Sequence, residues 1–434
     1  MRVFTGARVA AAAAAGALLL ALAVAGTPAT AATTPPEPPA PAVLPSAPAS
    51  DARPTPEGVE RAIGRILRRS LGSASVIVLD PADGTVLLDS RGARPRIPAS
   101  TAKLATAAAA LEVLGAESRL PTIAYRDDAT VILVGGGDPT LRRADLTALA
   151  RAVAADYGTQ TAVTVNFDAS AFSGPDLGPE WSAGFPRAGV AAPVSALVVD
   201  GGRVRPGATS RVDDPARQAA QVFAAALEKE GLKVRRVRPG SPGPAAREVE
   251  RIESAPVAAI VQRMLTDSEN DYAEALAHLV GGRLLGEPTF AGGARATRET
   301  LEGLGIDVTG VTLADGSGLS RANRVPARFL AEILAASVTG TPPEIASIPS
   351  GLAVAGLTGT LEDRFTTAAT KAGRGFVHAK TGTLTGVSAL AGTVLDRDGR
   401  TLVFAMVDDR ARSLARTRET MDVVASTLAT CGCG

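Results

Sequence analysis

Apolar positions recur along this chain with two periods, one helical and one alternating. Thr55-Pro56-Glu57 offers a cap, a proline at the first helical position and an acidic first turn, and Val59, Ile63, Ile66 and Leu67 then fall on one face. A helix is predicted there. Residues 73–90 carry two apolar runs about Pro81-Ala82-Asp83-Gly84, which is a hairpin pattern. Pro98 leads into an alanine-rich helical run that starts at about Ser100.

From about 118 to 250 the pattern changes. Strands are expected at 130–134 and 161–167 around a helix at 143–156, and a hairpin at 196–206 turning at Asp200-Gly201. Asp214-Pro215 opens a further helix that Gly231 closes, and the strand LKVRRV follows. The glycine and proline cluster at 238–246 marks a boundary, and GGGDPTL at 135–141 reads as a tight turn, since it lacks the spacing of a phosphate or dinucleotide loop. After the boundary come a helix near 256–265, a polar connection at 266–271 and the helical run YAEALAHLV. Residues 375–409 read as three strands, the last two hinged at 396–399, and residues 411–428 as a closing helix.

Strands from both ends can join into one antiparallel sheet packed between helices, so the fold class is α+β. The expected organisation is a discontinuous domain of residues 55–117 and 251–434, with residues 118–250 inserted as an α/β accessory domain.

Ahead of this, Arg2 and Arg8 precede an uncharged apolar run from Val9 to about Gly26, followed by the A-x-A of Ala29 and Ala31. Residues 1–31 therefore read as a secretory signal peptide, cleaved rather than kept as an anchor because the run is short for a membrane span. An exported protein in the cell envelope, without a stable span after cleavage, is expected. Residues 32–54 are rich in Pro and Ala and read as an extended linker. A net charge of +1 and 3% aromatic residues offer neither a basic field nor a stacking inventory for nucleic acid. Cys431 and Cys433 are the sole cysteines. Two ligands make no structural zinc site, and whether the two pair is open at this level. No metal and no cofactor are expected.

Three short patterns carry chemistry. Ser100 and Lys103 are three apart at a helix start, so their side chains share a face, and the unpaired N–H groups there favour negative charge at a serine oxygen. The basic residues are overwhelmingly arginine, with lysine only at 103, 229, 233, 371 and 380. Arginine does not release its proton in a protein, whereas a buried lysine does, which makes a lysine beside a serine chemically pointed. Ser268 and Asn270 are two apart between two helices, where they can face one cleft or where Ser268 or Asp267 can simply cap the next helix. Lys380-Thr381-Gly382 lies on a strand. The two histidines, His278 and His378, come with no acid-and-serine pattern, so a Ser-His-Asp triad is the poorer account.

Together and in this order, the three patterns match the motif set of penicillin-interacting serine enzymes. The chain resembles the D-alanyl-D-alanine carboxypeptidase/endopeptidase family, the class C low-molecular-mass penicillin-binding proteins. GGGDPTL, APVSAL at 192–197, DGSGLSR at 315–321 and GLTGTLEDRF at 356–365 extend the resemblance over nearly all of the mature chain. It implies a penicillin-binding/β-lactamase-like fold and a serine-type carboxypeptidase, with endopeptidase activity also open. The substrate would be the stem peptide of peptidoglycan, and β-lactams would be covalent inhibitors. By resemblance Ser100 is the nucleophile, Lys103 its base and Ser268 a proton relay. Asn270 binds the substrate amide, while Lys380, Thr381 and Thr383 bind the terminal carboxylate. Gly382 lets the substrate lie close to the strand, and the Ser100 and Thr383 N–H groups form the oxyanion hole. Trp181 and Arg321 are candidates for the pocket that reads the stem peptide's diamino acid. Val190 stands where relatives often carry a tyrosine before the APVSAL-like segment. The alternatives are a β-lactamase or esterase of the same fold, or a non-catalytic wall-binding protein; the full Ser/Lys/Asn set weighs against the last.

Overall fold

The computed structural model describes residues 53–434. The signal-peptide reading and nearly all of the linker lie outside these residues. Thr55 caps α1 (Pro56–Ser70) by accepting a hydrogen bond from the Gly58 N–H, and strands β1 (Ser75–Leu79) and β2 (Val86–Ser90) form the expected hairpin. A 3₁₀ turn, Ala99–Ala102, leads into α2 (Lys103–Leu114).

The next segment holds β3 (Pro121–Asp127), β4 (Thr130–Gly135), α3 (Arg143–Tyr157), β5 (Ala162–Asp168) and the single turn α4 (Phe185–Ala188). It continues with α5 (Pro215–Lys229), β6 (Lys233–Pro239) and β7 (Arg247–Glu253). Then come α6 (Val257–Asp267), α7 (Asn270–Leu285), α8 (Phe290–Gly303), α9 (Ala327–Thr339) and α10 (Ile348–Gly351). The chain closes with β8 (Ala353–Val354), β9 (Val377–Leu384), β10 (Val387–Leu395), β11 (Thr401–Asp408) and α11 (Leu414–Thr430).

Two sheets result. The larger has the order β2-β1-β11-β10-β9-β8 and is antiparallel throughout, joining the first strands of the chain to the last. Side chains alternate across its strands, so it buries both faces. Ile77, Leu79, Ala389, Ala391, Val403, Ala405 and Val407 pack on the side of α2, α6, α7 and α9. Val76, Val78, Leu390, Val394, Leu402, Phe404 and Met406 pack on the side of α1 and α11. The smaller sheet, β6-β5-β4-β3-β7, is mixed, with α3 and α5 covering Val131, Leu133, Val163 and Val165.

Three segments differ from the sequence expectation. Residues 196–206 form no hairpin: Asp200, Gly201 and Gly202 take positive φ in succession and make a 3₁₀ turn, while Leu197 bridges to Asp138 in the GGGDPTL segment. Strands β3 and β7 were not anticipated. β7 is REVERIE, an edge strand with only Val249 and Ile252 among its charges, so its sequence reads as solvated rather than extended. It runs across residue 250 and pairs with β3. Cys431 and Cys433 form a disulfide, and the Cys433 carbonyl accepts from the Thr55 N–H at 2.7 Å, so the C-terminal tail lies against the start of α1.

One buried cation ties the segment ahead of Ser100 to the larger sheet. Arg96, 2% exposed, donates to Ser75 Oγ at 3.1 Å, to Asp409 Oδ1 at 2.6 Å and to the Ser73 carbonyl. Its backbone also bridges Val325. Removing one partner of a buried pair leaves the other desolvated and unpaired. Arg96→Ala is therefore expected to cost about 3 kcal/mol of unfolding free energy, read from urea denaturation; a loss below about 1 kcal/mol would mean that the pair behaves like an exposed one.

Candidate active site

Residue 100 stands in the tight turn ahead of α2, and the backbone on either side is held by close approach. Ala99 has φ 49°, and Gly318, at φ +81°, faces its carbonyl so closely that a Cβ at 318 would overlap it. From the other side a Cβ on Gly382 would lie 2.7 Å from the Pro98 carbonyl and 3.2 Å from the Thr101 nitrogen. The glycine in β9 thus makes room for the turn that carries Ser100, a different neighbour from the substrate strand that its sequence context suggested.

Lys103, at the start of α2, has no exposed surface. Its Nζ donates to Ser100 Oγ at 3.0 Å, to Asn270 Oδ1 at 2.7 Å and to the Ser317 carbonyl at 2.7 Å. Asn270 opens α7 and spends the other end of its amide on the Val190 carbonyl at 2.7 Å. This donor and acceptor pattern fixes the orientation of the amide. Ser268 ends α6 in the left-handed conformation, φ 62°, two residues before Asn270, and neither it nor Asp267 caps α7 through its side chain.

Burial is the main force on the Lys103 ammonium and brings its pKa down to about 8, while Glu274, Asp315, Glu269 and Asp271 push the other way. Lys380, also fully buried, is held well below the ordinary lysine value by burial first and by the charge of Lys103 second. Desolvation is thus the first cause of the lowering at both lysines. The Lys380 Nζ donates to the Thr381 carbonyl at 3.0 Å. The Thr381 hydroxyl donates to Thr360 Oγ1 at 2.9 Å, so GLTGTLEDRF supports β9. Thr383 is exposed, and β8 pairs with β9 only at Ala379 and His378, which leaves the stretch from Lys380 to Leu384 with one strand neighbour among the described residues.

Sequence reasoning missed the carboxylates beneath this cluster. Glu274 lies one turn after Asn270 and hence on the same helix face. Fully buried, it accepts from the Gly316 N–H at 3.0 Å and the Ser317 N–H at 2.7 Å, and burial with Asp315 nearby raises its pKa. Asp315 accepts from the Gly318 N–H, the Ser320 N–H, Asn323 Nδ2 and Trp181 Nε1. DGSGLSR is thus a loop folded around its own aspartate, with Ser317 presenting a carbonyl to Lys103. A helical spacing of four from Asn270 was the available signal for Glu274.

Of the two pocket candidates, Trp181 is buried among Phe185, Phe290 and Leu319, its indole N–H 2.8 Å from Asp315. Arg321 is exposed and donates to the Thr385 carbonyl at 3.0 Å, in the turn after β9. His278 is packed between Phe172 and Phe290, with Nδ1 2.8 Å from the Glu274 carbonyl. Among the described residues no cluster of histidine, cysteine or carboxylate could hold a metal ion.

A serine hydrogen-bonded to a buried lysine that an asparagine also holds is an arrangement able to support acyl transfer without histidine. Residues 66–211 and 206–430 match the D-Ala-D-Ala carboxypeptidase 3 (S13) family. Carboxypeptidase DacB of Mycolicibacterium smegmatis is 35% identical over 91% of this chain and 88% of its own, and a D-alanyl-D-alanine carboxypeptidase of an Actinomadura species is 30% identical over 77% of each. Penicillin binding protein 4 from Haemophilus influenzae, also solved with a β-lactam, shares the fold with TM-score 0.72 at 21% identity, over 84% of this chain and 98% of its own. The chain belongs to this family of serine-type D-alanyl-D-alanine carboxypeptidases.

Glu274 is the largest charge holding the Lys103 pKa up. Glu274→Gln is therefore expected to move the Lys103 titration below its value of about 8, followed by NMR of the ζ-nitrogen. An unchanged midpoint would show that Glu274 is protonated in the folded protein.

Proposed function

We propose that this protein is an exported cell-wall hydrolase in which Ser100 forms an acyl-enzyme with peptidoglycan stem peptides. The observation that carries this is the 3.0 Å hydrogen bond between Ser100 Oγ and the fully buried Lys103. With its pKa near 8, part of the lysine population is neutral at cellular pH and accepts the serine proton. Ser100 Oγ bonds to the carbonyl carbon of the penultimate D-alanine while Lys103 takes the hydroxyl proton. The tetrahedral oxyanion lies between the N–H groups of Ser100 and Thr383, donors whose loss typically costs about 2.7 to 4 kcal/mol. The carbon–nitrogen bond then breaks, and the leaving amine takes the proton that Lys103 had accepted, relayed through Ser268, which leaves Lys103 neutral again. Water adds to the ester, releases the shortened peptide and restores Ser100. Asn270 orients the substrate amide, and the edge of β9 from Lys380 to Thr383 receives the peptide beside its carboxylate.

A β-lactam presents the same scissile amide but keeps its cleaved fragment attached, so it acylates Ser100 and blocks the water. The same site serves endopeptidase cleavage of cross-links, since the strand edge from Lys380 onward has no second strand beside it among the described residues and leaves room for a long peptide. Residues 55–117 and 251–434 are read as the catalytic unit and 118–250 as accessory, the last strand of the accessory sheet running on to Glu253, with residues 1–31 directing export. Among the described residues no helix is long and apolar enough to cross a membrane.

Fluorescent penicillin is expected to label the wild type and to leave Ser100→Ala unlabelled, and purified enzyme to release D-alanine from a pentapeptide. Equal labelling of both proteins sinks the assignment, and digestion of cross-linked muropeptides separates trimming from cross-link cleavage. Only the neutral amine is a base, so the acylation rate should climb as pH rises through about 8 and level off above it. A profile flat across that range would remove Lys103 from the role.

A further inference from the structure

Side chains alternate along β9, and the two sides of the strand have different surroundings. Gly382 faces the Ser100 turn, whereas Val377 and Ala379 belong to the core beneath α1 and α11. Thr381 and Thr383 continue the latter set and so project on the α11 side. There Arg418, an exposed residue of α11, donates from Nη2 to Thr383 Oγ1 at 3.0 Å.

This guanidinium has no carboxylate within ion-pair distance among the described residues. Its helical neighbour Asp422, four residues on, is taken by Arg364 through hydrogen bonds of 3.1 and 2.5 Å. The pairing contrasts with arginines of the same chain that are matched to acids, such as Arg143 with Asp200 and Arg328 with Asp89. A threonine hydroxyl that accepts from arginine keeps its own hydrogen to donate. The Thr383 hydroxyl and the remaining N–H groups of Arg418 therefore form adjacent donors at the open edge of β9.

Lys380 is poorly placed to supply the positive charge at this edge. It is fully buried, its Nζ is spent on the Thr381 carbonyl, and burial favours its neutral form. Arginine stays charged at any pH the protein survives, and its planar fork matches a carboxylate.

We propose that Arg418, acting with the Thr383 hydroxyl, is a specificity residue that binds the carboxylate of the substrate's leaving D-residue. This rests on the acyl-transfer reading of Ser100 given above. The leaving D-alanine of an uncrosslinked stem carries that carboxylate next to the scissile amide. A penicillin carries its own carboxylate next to the lactam nitrogen, which makes β-lactam acids and their esters a matched pair of probes.

The test compares acylation rate constants of benzylpenicillin and its methyl ester on wild type, Arg418→Ala and Arg418→Lys. Each rate is normalised to the fraction of protein that the ester finally acylates, so that loss of folded protein does not enter the ratio. Wild type should prefer the acid. Arg418→Ala should lower the acid rate about tenfold, the low end for a hydrogen bond to a charged group at an exposed site, and leave the ester rate nearly unchanged. Arg418→Lys should fall between them, and added salt should erode the wild-type preference. Equal losses for acid and ester would make Arg418 a support for β9 only and overturn the proposal, as would an unchanged acid-to-ester ratio. Failure of wild type to be acylated by either probe would instead overturn the Ser100 reading, and this inference with it.

Discussion

An amine removed from water must find acceptors or lose its charge, and the centre of this protein is organised around one such amine. Lys103 meets three oxygens, from Ser100, Asn270 and Ser317, supplied by segments 167 and 214 residues away as well as by its own helix start. None of these segments can move without leaving the ammonium short of a partner. The demand that brings the three together for chemistry is therefore also a demand of folding. Gly318 and Gly382 serve the same end by letting backbone approach the Ser100 turn from two sides.

The two buried lysines show how environment separates residues of one type. Both are fully buried. Lys103 lies within the field of Glu274 and Asp315, two carboxylates anchored by backbone N–H groups, and its pKa stops at about 8. Lys380 has only Asp267 in its favour and the charge of Lys103 against it, and falls well below the ordinary value. A lysine near 8 can exchange a proton at mildly basic pH, whereas burial and the neighbouring ammonium both disfavour the charged form of Lys380. Beside the β9 edge, Arg418 reaches the Thr383 hydroxyl with a guanidinium that stays charged.

The larger sheet explains how the chain tolerates a long interruption. β1 pairs with β11, so the first and last strands close one sheet, while a second sheet is completed wholly by residues 121–253. Contact between the segments is not merely passive. Val190 accepts the Asn270 amide, and Asp271 accepts from the Ala192 N–H at 2.7 Å and pairs with Arg211, so the 190–211 stretch steadies the start of α7.

Much of this protein was legible in its sequence because the signals are local. Thr55 capping α1, the hairpin of β1 and β2, the three closing strands and the α+β class follow from caps, turn residues and alternation over a few positions. The Ser100, Ser268 and Lys380 patterns were legible because each is a short spacing with chemical meaning. Charged edge strands such as β7 were not, since hydrogen bonding to β3 rather than apolar patterning makes them strands. Glu274, Asp315 and Arg418 were equally silent, because acids and arginines are common and usually solvated. Only burial beneath Lys103, or an unpaired position beside Thr383, distinguishes these from the rest. Sequence by itself determined which groups could do the chemistry; tertiary structure decided their charge, because desolvation and the field of distant residues arise only when the chain is folded.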